Sequence, residues 1–399
     1  MIKDLEYLAG EETKGRVSGS EGARKAAQYI AGELSSLGIS PAGEDEYFSY
    51  IDIFAARLHG KVEVSIGGKT LTHRVDFGEV SRFLSQRGND VEGELLVVRD
   101  GDQVDSNLLK NKVVLIPEKP DGLDMAATVK GAQEEGVLAL LIEGGEPKWF
   151  IKGLHGSKED SIPVLRVRKS LVKGLEDLQG EKVKIKLPLI SDYQTCQNVI
   201  GHIPGRDSSK TLVLSAHYDH LGDDPDGHRF PGAVDNGSGV AIVLEMARRL
   251  VQQELPFNVT FAFFTGEESG LLGARHFVKN TQLPVSAVIN IDGVGYEPEL
   301  SKMRTGHKEP GLWLADLSAK IISEHEVEAT WIYGSEDSVA FQEKQIPAIG
   351  LGQKPIDPNQ RGIHTPEDTF QQLYVQPIYK ALEIVSDLVF HIVKNPSML

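Results

Sequence analysis

TLVLSAHYDHLGDDPDGHRFPGAVDNGSGV, residues 211–240, opens on a β-rich apolar run, Thr211–Ala216, that stops at His217. Asp219 follows two residues on. Then come a polar, Gly/Pro-rich loop, an acid at Asp235 and a small-residue turn, Asn236-Gly237-Ser238-Gly239. Val240, Val243, Leu244, Ala247 and Leu250 recur at helical spacing, which predicts a helix over 236–253. A buried strand that ends in His-x-Asp and leads into a helix places metal-ligand residue types at the rim of a sheet. In open α/β sheets ligands bind there, outside the carboxyl ends of the strands.

Working outward, Asn198–Ile203, Val259–Phe264, Ala287–Ile291 and Ala348–Leu351 read as strands, and Gly270–Lys279, Leu312–His325 and Ile378–Val393 as helices. This alternation predicts an α/β fold, a mostly parallel mixed sheet with helices on both faces. Nearer the N-terminus, Ala23, Ala26, Ala27, Ile30, Leu34 and Leu37 predict a packing helix capped by Ser20 and stopped at Gly38. Gly15–Ser20 before it reads as a loop.

Between Tyr47 and Leu187 the strands become short and closely spaced: Val62–Ile66, Leu95–Val98, Val113–Ile116, Val137–Ile142, Pro163–Val167 and Val183–Leu187, with one helix at Met125–Glu135. The expectation is a β-rich domain, 48–188, inserted into a discontinuous catalytic domain, 1–47 and 189–399. His73 and His155 stand isolated in this segment and read as structural.

The chain has 399 residues and a net charge of −16, with no basic cluster, which argues against nucleic acid or an anionic membrane as partner. Its single cysteine, Cys196, excludes an intramolecular disulfide and a cysteine-based zinc site. The first residues, MIKDLEYLAGEETKG, contain no apolar core of a signal peptide, and no stretch reaches the ~18 continuous apolar residues of a membrane span. As it stands the sequence reads as cytoplasmic, or as secreted if a signal has been trimmed. Oligomeric state is not legible in it.

Three strands of the second half end in an acid or a histidine: His217-Tyr218-Asp219, Thr265-Gly266-Glu267-Glu268, and Asp292-Gly293. His364 lies on a late, turn-rich loop, and Asp235 completes the set. Singly these are ordinary turn residues. Jointly, two histidines and three carboxylates without a thiolate suit zinc or another borderline divalent ion, and five such groups fit two ions sharing one carboxylate. Neighbours at a strand end point in different directions, so one of Glu267 and Glu268 is expected to bind an ion while the other serves as general base.

SAHYDHLG, PGAVDNGSGV, TGEESGLLGA, NIDGVG and IHTPEDT, in this order, resemble the co-catalytic zinc exopeptidases that include bacterial leucyl aminopeptidases, aminopeptidase Y and glutamate carboxypeptidase II. KNKVVLIPEK, VKGAQEEGVLALLI and SIPVLRV resemble the protease-associated domain inserted in the aminopeptidase Y branch. The resemblance implies two zinc ions, with Asp235 bridging, His217 and Asp292 on one ion, and Glu268 and His364 on the other. It implies Glu267 as general base, and Asp219 as the partner that orients the His217 imidazole. It also implies that Asn236 and Gly237–Gly239 bring the backbone close to the site.

The expected activity is zinc-dependent removal of the N-terminal residue from peptides with a free N-terminus. A carboxypeptidase of the glutamate carboxypeptidase type needs a basic cluster to hold a carboxylate. Here only Arg229 and Arg361 flank the loops, beside Asp223, Asp224 and Asp226, whose charge is expected to colour the approach. A glutaminyl cyclase and a binding ectodomain that has lost its metals are rival readings, and the intact ligand set speaks against the ectodomain. Relatives carry Tyr just before the last histidine, where its phenol helps the oxyanion; this chain has Ile363. Tyr333 is the substitute donor to consider, and Asp337-Ser338 reads as a helix cap.

Overall fold

The computed structural model describes residues 1–85, 89–102, 104–120, 122–154, 156–157, 160–355 and 362–399. His155 and Arg361 lie outside them. The chain forms two compact units. One comprises Met1–Ile53, Gln194–Gly222 and Arg229–Leu399; the other comprises Phe54–Tyr193 and Asp223–His228.

The first unit is built on a mixed sheet. Its centre is four parallel strands in the order Phe257–Phe264, Asp207–His217, Val285–Ile291, Ala348–Gln353. Leu189–Ile203 runs antiparallel beside Phe257–Phe264, and Lys302–Arg304 antiparallel beside Ala348–Gln353. The central strands read as unbroken apolar runs because both faces are covered. Leu212, Leu214 and Ala216 join one core with the helices Glu21–Ser36, Ser238–Leu250, Trp313–Glu324 and Val375–Lys394. Val213, Ala262 and Val288 point the other way, into a core with Phe277 and Phe341.

The helix starts were legible from chemistry. Ser20 caps Glu21–Ser36 by accepting from the Ala23 N–H at 3.1 Å, and Gly38 leaves the helix at φ +73. The helix expected over 236–253 is shorter, Ser238–Leu250, because Ala233–Gly237 forms a separate wide turn.

The second unit centres on its own sheet, in the order Lys69–Leu71, Glu63–Ile66, Lys182–Lys186, Asp90–Val97, Lys112–Ile116, Ala139–Glu143, Val164–Val167, Phe77–Glu79. Four of these, from Asp90–Val97 to Val164–Val167, are parallel, which the short-strand pattern did not reveal. The strands Phe48–Leu58, Lys69–Leu71 and Phe77–Glu79 and the helix Lys169–Glu176 also carried no clear signal in the sequence.

His73 is not isolated in space. Its ring nitrogens lie 2.9 Å from Asp226 and 2.9 Å from Glu79. Arg74, fully buried, pairs with Asp224 and Glu79 at 2.7 Å each, and Lys152 lies 2.8 Å from Asp224. Asp224 and Asp226 are therefore neutralised within this unit by Arg74, Lys152 and His73.

Burial would raise the Asp224 carboxyl, but Arg74 and Lys152 hold it down at about 2. Lys152 itself is pushed down by burial, so Arg74, shifted upward by Glu79 and Asp224, is the stronger partner. Asp224→Asn leaves a buried guanidinium half-compensated and is expected to cost about 3–5 kcal/mol. A carboxyl depressed in the folded state stabilises above its unfolded pKa and loses that contribution as pH falls toward its folded value. Wild type and variant should therefore converge in urea unfolding between pH ~4 and ~2, and parallel curves would contradict the assignment.

Candidate metal centre

The parallel register brings the strand ends together. His217 pairs across from Phe264, so Glu267 and Glu268 emerge just beyond it, and Ser215 pairs across from Asn290, two residues before Asp292. Asp235 arrives on the turn Ala233–Gly237, and His364, with φ +59, on the late loop.

All five predicted ligands converge. Asp235 Oδ1 lies 3.2 Å from His217 Nε2, while its Oδ2 lies 3.1 Å from His364 Nε2. His217 Nε2 is 3.5 Å from Asp292 Oδ1, and His364 Nε2 is 3.2 Å from Glu268 Oε2. Glu267 Oε2 stands 4.0 Å from His217 Nε2. Two sets of donor atoms each fall within 4.8 Å of one another: His217, Glu267 and Asp292, and His220, Asp235, Glu268 and His364.

The electrostatics follow from this crowding. Burial would lower His217, but Glu267, Asp219, Asp235 and Asp292 hold it well above the ordinary imidazole range. His364 is raised likewise by Glu268 and Asp235. Burial opposes ionisation of Asp235, yet His217 and His364 keep it well below the usual carboxylate range, and Glu268 is held at about 2 chiefly by His364. Glu267 is pushed well above the range by burial and, despite His217, by the charges of Glu268, Asp292 and Asp337. Buried carboxylates in this number require positive charge close by.

The surrounding residues hold the donors in place. His217 Nδ1 donates to the main-chain carbonyl of Asp219 at 3.2 Å; the Asp219 carboxylate is farther off, at 3.7 Å. That carboxylate instead accepts from the Glu267 N–H at 3.2 Å and from Ser18 Oγ at 3.0 Å. Asp219 thus orients the imidazole through its backbone and Glu267 through its side chain.

Asn236 joins the Asp235 turn to the Asp292 strand end. It donates to the Ile291 carbonyl at 2.9 Å and accepts from the Gly239 and Gly293 N–H groups. A Cβ at Gly239 would lie 2.4 Å from the Ile291 carbonyl oxygen, so this close approach requires glycine.

Residues that the sequence did not single out complete the centre. Arg16, fully buried, donates to the carbonyls of Leu8, Tyr218, Pro231 and Gly232 and so braces both ends of the ligand loop. Asp368 accepts from the Val234 and Asp235 N–H groups at 2.7 and 3.1 Å. Arg304 lies 3.1 Å from Asp292 Oδ2 and 3.1 Å from Glu336, leaving Asp292 Oδ1 to face His217. His220 contacts Glu268 Oε1 at 2.7 Å through Nδ1, and its buried Nε2 has no partner. The available signals were local: an arginine and a serine in the otherwise small-residue run Gly15–Ser20, and a second histidine in His-Tyr-Asp-His.

Tyr333 is 53% exposed. One expectation changes. Asp337 makes no side-chain capping bond to the helix Ser338–Gln342; both its carboxylate oxygens are buried without a partner, and burial pushes it up to about 8.

Residues 198–389 match the model of peptidase family M28. The chain is 29% identical over 300 residues to aminopeptidase YwaD of Bacillus subtilis, covering 72% of the chain and 63% of that protein. It is 27% identical over 293 residues to the probable lipoprotein aminopeptidase LpqL of Mycobacterium tuberculosis, covering 71% and 54%. It therefore spans less than two thirds of either relative. In fold it resembles BSAP, a zinc aminopeptidase from Bacillus subtilis, with a TM-score of 0.74 and 23% identity over 98% of this chain and 94% of the other. Among the described residues of the chain no helix is long and apolar enough to cross a membrane.

Proposed function

We propose that this chain is a zinc-dependent aminopeptidase of the M28 type that removes the N-terminal residue from peptides. One observation carries the reading: the two oxygens of Asp235 face different histidines, His217 and His364, each backed by a further carboxylate. The donor set fits two divalent cations, with His217, Asp235 and Asp292 holding one and Asp235, Glu268 and His364 the other. The buried, unpartnered Nε2 of His220 and the surplus of carboxylates support that fit.

Two ions held by these residues would supply the charge that acidifies a water molecule and polarises the substrate carbonyl. Glu267 accepts the proton of the attacking water and passes it to the departing amine. Asp219 accepts from the Glu267 N–H, and Ser18, which donates to Asp219, accepts from the Gly266 N–H, so the main chain carrying Glu267 is fixed. Arg304 keeps one Asp292 oxygen turned inward.

Choice of the peptide's amino end follows from charge. Asp235, Glu267, Glu268 and Asp292 favour an ammonium group over a carboxylate. The described cations of the centre, Arg16 and Arg304, are engaged by main-chain carbonyls and by Asp292 and Glu336. The relatives named as aminopeptidases support the same choice over a carboxypeptidase. Within this reading, the unit centred on Phe54–Tyr193 is the protease-associated domain and the other unit the peptidase domain.

The test compares a free peptide with its N-acetylated form on enzyme loaded with zinc, cobalt or manganese. Blocking the amine is expected to lower kcat/KM by more than about 100-fold, since it leaves the amine-binding carboxylates without their partner. Equal rates would reject amino-end recognition, and cleavage at the carboxyl end would establish the carboxypeptidase instead.

A further inference from the structure

We infer that His220 is a positioning residue, which holds one oxygen of Glu268 and so turns the other toward His364. The inference rests on the two-ion reading above. Four residues offer donor atoms within 4.8 Å of one another at this half of the centre: His220, Asp235, Glu268 and His364. Their separations sort them. Ligand bonds of about 2.0–2.2 Å in a tetrahedral arrangement place donor atoms about 3.3 Å apart. Asp235 Oδ2 and Glu268 Oε2 lie 3.1 and 3.2 Å from His364 Nε2, which fits atoms that share an ion. The other half repeats this spacing, with Asp235 Oδ1 and Asp292 Oδ1 at 3.2 and 3.5 Å from His217 Nε2. His220 Nδ1 lies 2.7 Å from Glu268 Oε1. That is too close for two ligands of one ion and is the length of a hydrogen bond to a charged acceptor. A carboxylate only accepts, so Nδ1 carries the hydrogen.

The need for such a tie follows from the side chains. Asp235 turns one oxygen to each histidine, so both of its oxygens are occupied. Asp292 and Glu268 each turn one oxygen to one histidine and leave the second to be held by something else. Arg304 holds it for Asp292, at 3.1 Å, and His220 holds it for Glu268. A glutamate has one more rotatable bond than an aspartate, so more rotamer freedom must be removed before its oxygen is fixed.

The imidazole is itself immobile. It is fully buried, and the His220 main-chain N–H donates to the Arg16 carbonyl at 3.3 Å. Its ring stands edge-on to that of His364, with centroids 5.6 Å apart. A Cβ at Gly232, φ +65, would lie 2.6 Å from the His220 Cγ and Cδ2, so a side chain just before the Asp235 turn would displace the ring. His220 thus meets the elements that carry Glu268, His364 and Asp235. Its Nε2 has no partner among the described residues, so the bond to Glu268 is the side-chain hydrogen bond that orients the ring.

The experiment compares His220→Asn with His220→Leu in the full chain. The two side chains have similar shapes, and only the amide can donate from the place of Nδ1. Zinc affinity is read by competition with a chelator, the ligand set by the visible spectrum after cobalt loading, and folding by the thermal midpoint without metal. The expected result is a fall of about 10–100-fold in affinity for one zinc ion in the Leu variant, and a change under about 3-fold for its other ion and for both ions of the Asn variant. The cobalt spectrum of the Asn variant should match wild type, because no ligand has been lost. Equal weakening by Asn and Leu overturns the assignment: with an altered cobalt spectrum His220 is a ligand, and with a lowered metal-free midpoint it only fills the core. Unchanged zinc affinity in both variants overturns it as well. If the Leu chain does not fold, loss of an ion from the Asn variant still decides against the assignment. Wild type that takes up fewer than two zinc ions fails the two-ion reading, and wild type that binds two and cleaves no free-amine peptide fails the aminopeptidase reading alone.

Discussion

Glu267→Gln lowers kcat by about 10²–10⁴-fold and leaves metal content unchanged, the range expected when a general base is removed. The amide keeps the volume and the main-chain contact with Asp219, so geometry is preserved and only the proton acceptor is lost. Glu267 is suited to the role because it is not shared between histidines. Its carboxylate is 4.0 Å from His217, against 3.2 Å for Asp235. Metal analysis and single-turnover rates on the same preparation check the prediction. Near wild-type kcat would remove Glu267 from the mechanism, and loss of an ion would make it a ligand.

Asp235→Asn weakens both ions at once and lowers kcat/KM by at least about 10³-fold, because several kcal/mol of transition-state charge stabilisation depends on the pair. No other described residue of the centre faces both His217 and His364. The fold is expected to survive. Asp368 binds the Val234 and Asp235 main chain rather than the Asp235 side chain, and the amide removes one negative charge from a crowded cluster. The thermal shift on adding zinc distinguishes the variants. An ion present at about 100 times its Kd adds about 2.7 kcal/mol to wild type. The Asn variant should show little of that gain over its own metal-free sample. Retention of one tightly held ion would show that Asp235 serves a single site.

Much of this was legible along the chain. The central strands declare themselves because burial on both faces demands continuous apolar runs such as Leu212–Ala216 and Val259–Phe264. Ligand residue types at three strand ends, with Asp235 and His364, named the metal chemistry before any geometry, since His and carboxylate without thiolate narrows the ion.

What was not legible depends on contacts distant in sequence. Arg16 lies far before the carbonyls of Tyr218 and Gly232 that it braces, and Ser18 is equally remote from Gly266. Nothing local distinguishes such residues from ordinary loop. The acids Asp224 and Asp226 look exposed for the same reason, because Arg74, Lys152 and His73, which neutralise them, precede them by long stretches of chain. Asp337 looks like a cap because acids before helices usually are, and only packing shows its carboxylate enclosed and unpartnered.

By itself the sequence determined the α/β class and the histidines and carboxylates at the strand ends, since residue type and hydrophobic period are local properties. The tertiary structure alone decided that Asp235 faces two histidines, that Asp219 reaches Glu267 rather than the His217 ring, and that His220 meets one oxygen of Glu268. Those are matters of direction and distance. They are set by parallel register and by side chains meeting across the fold, which no reading along one dimension contains.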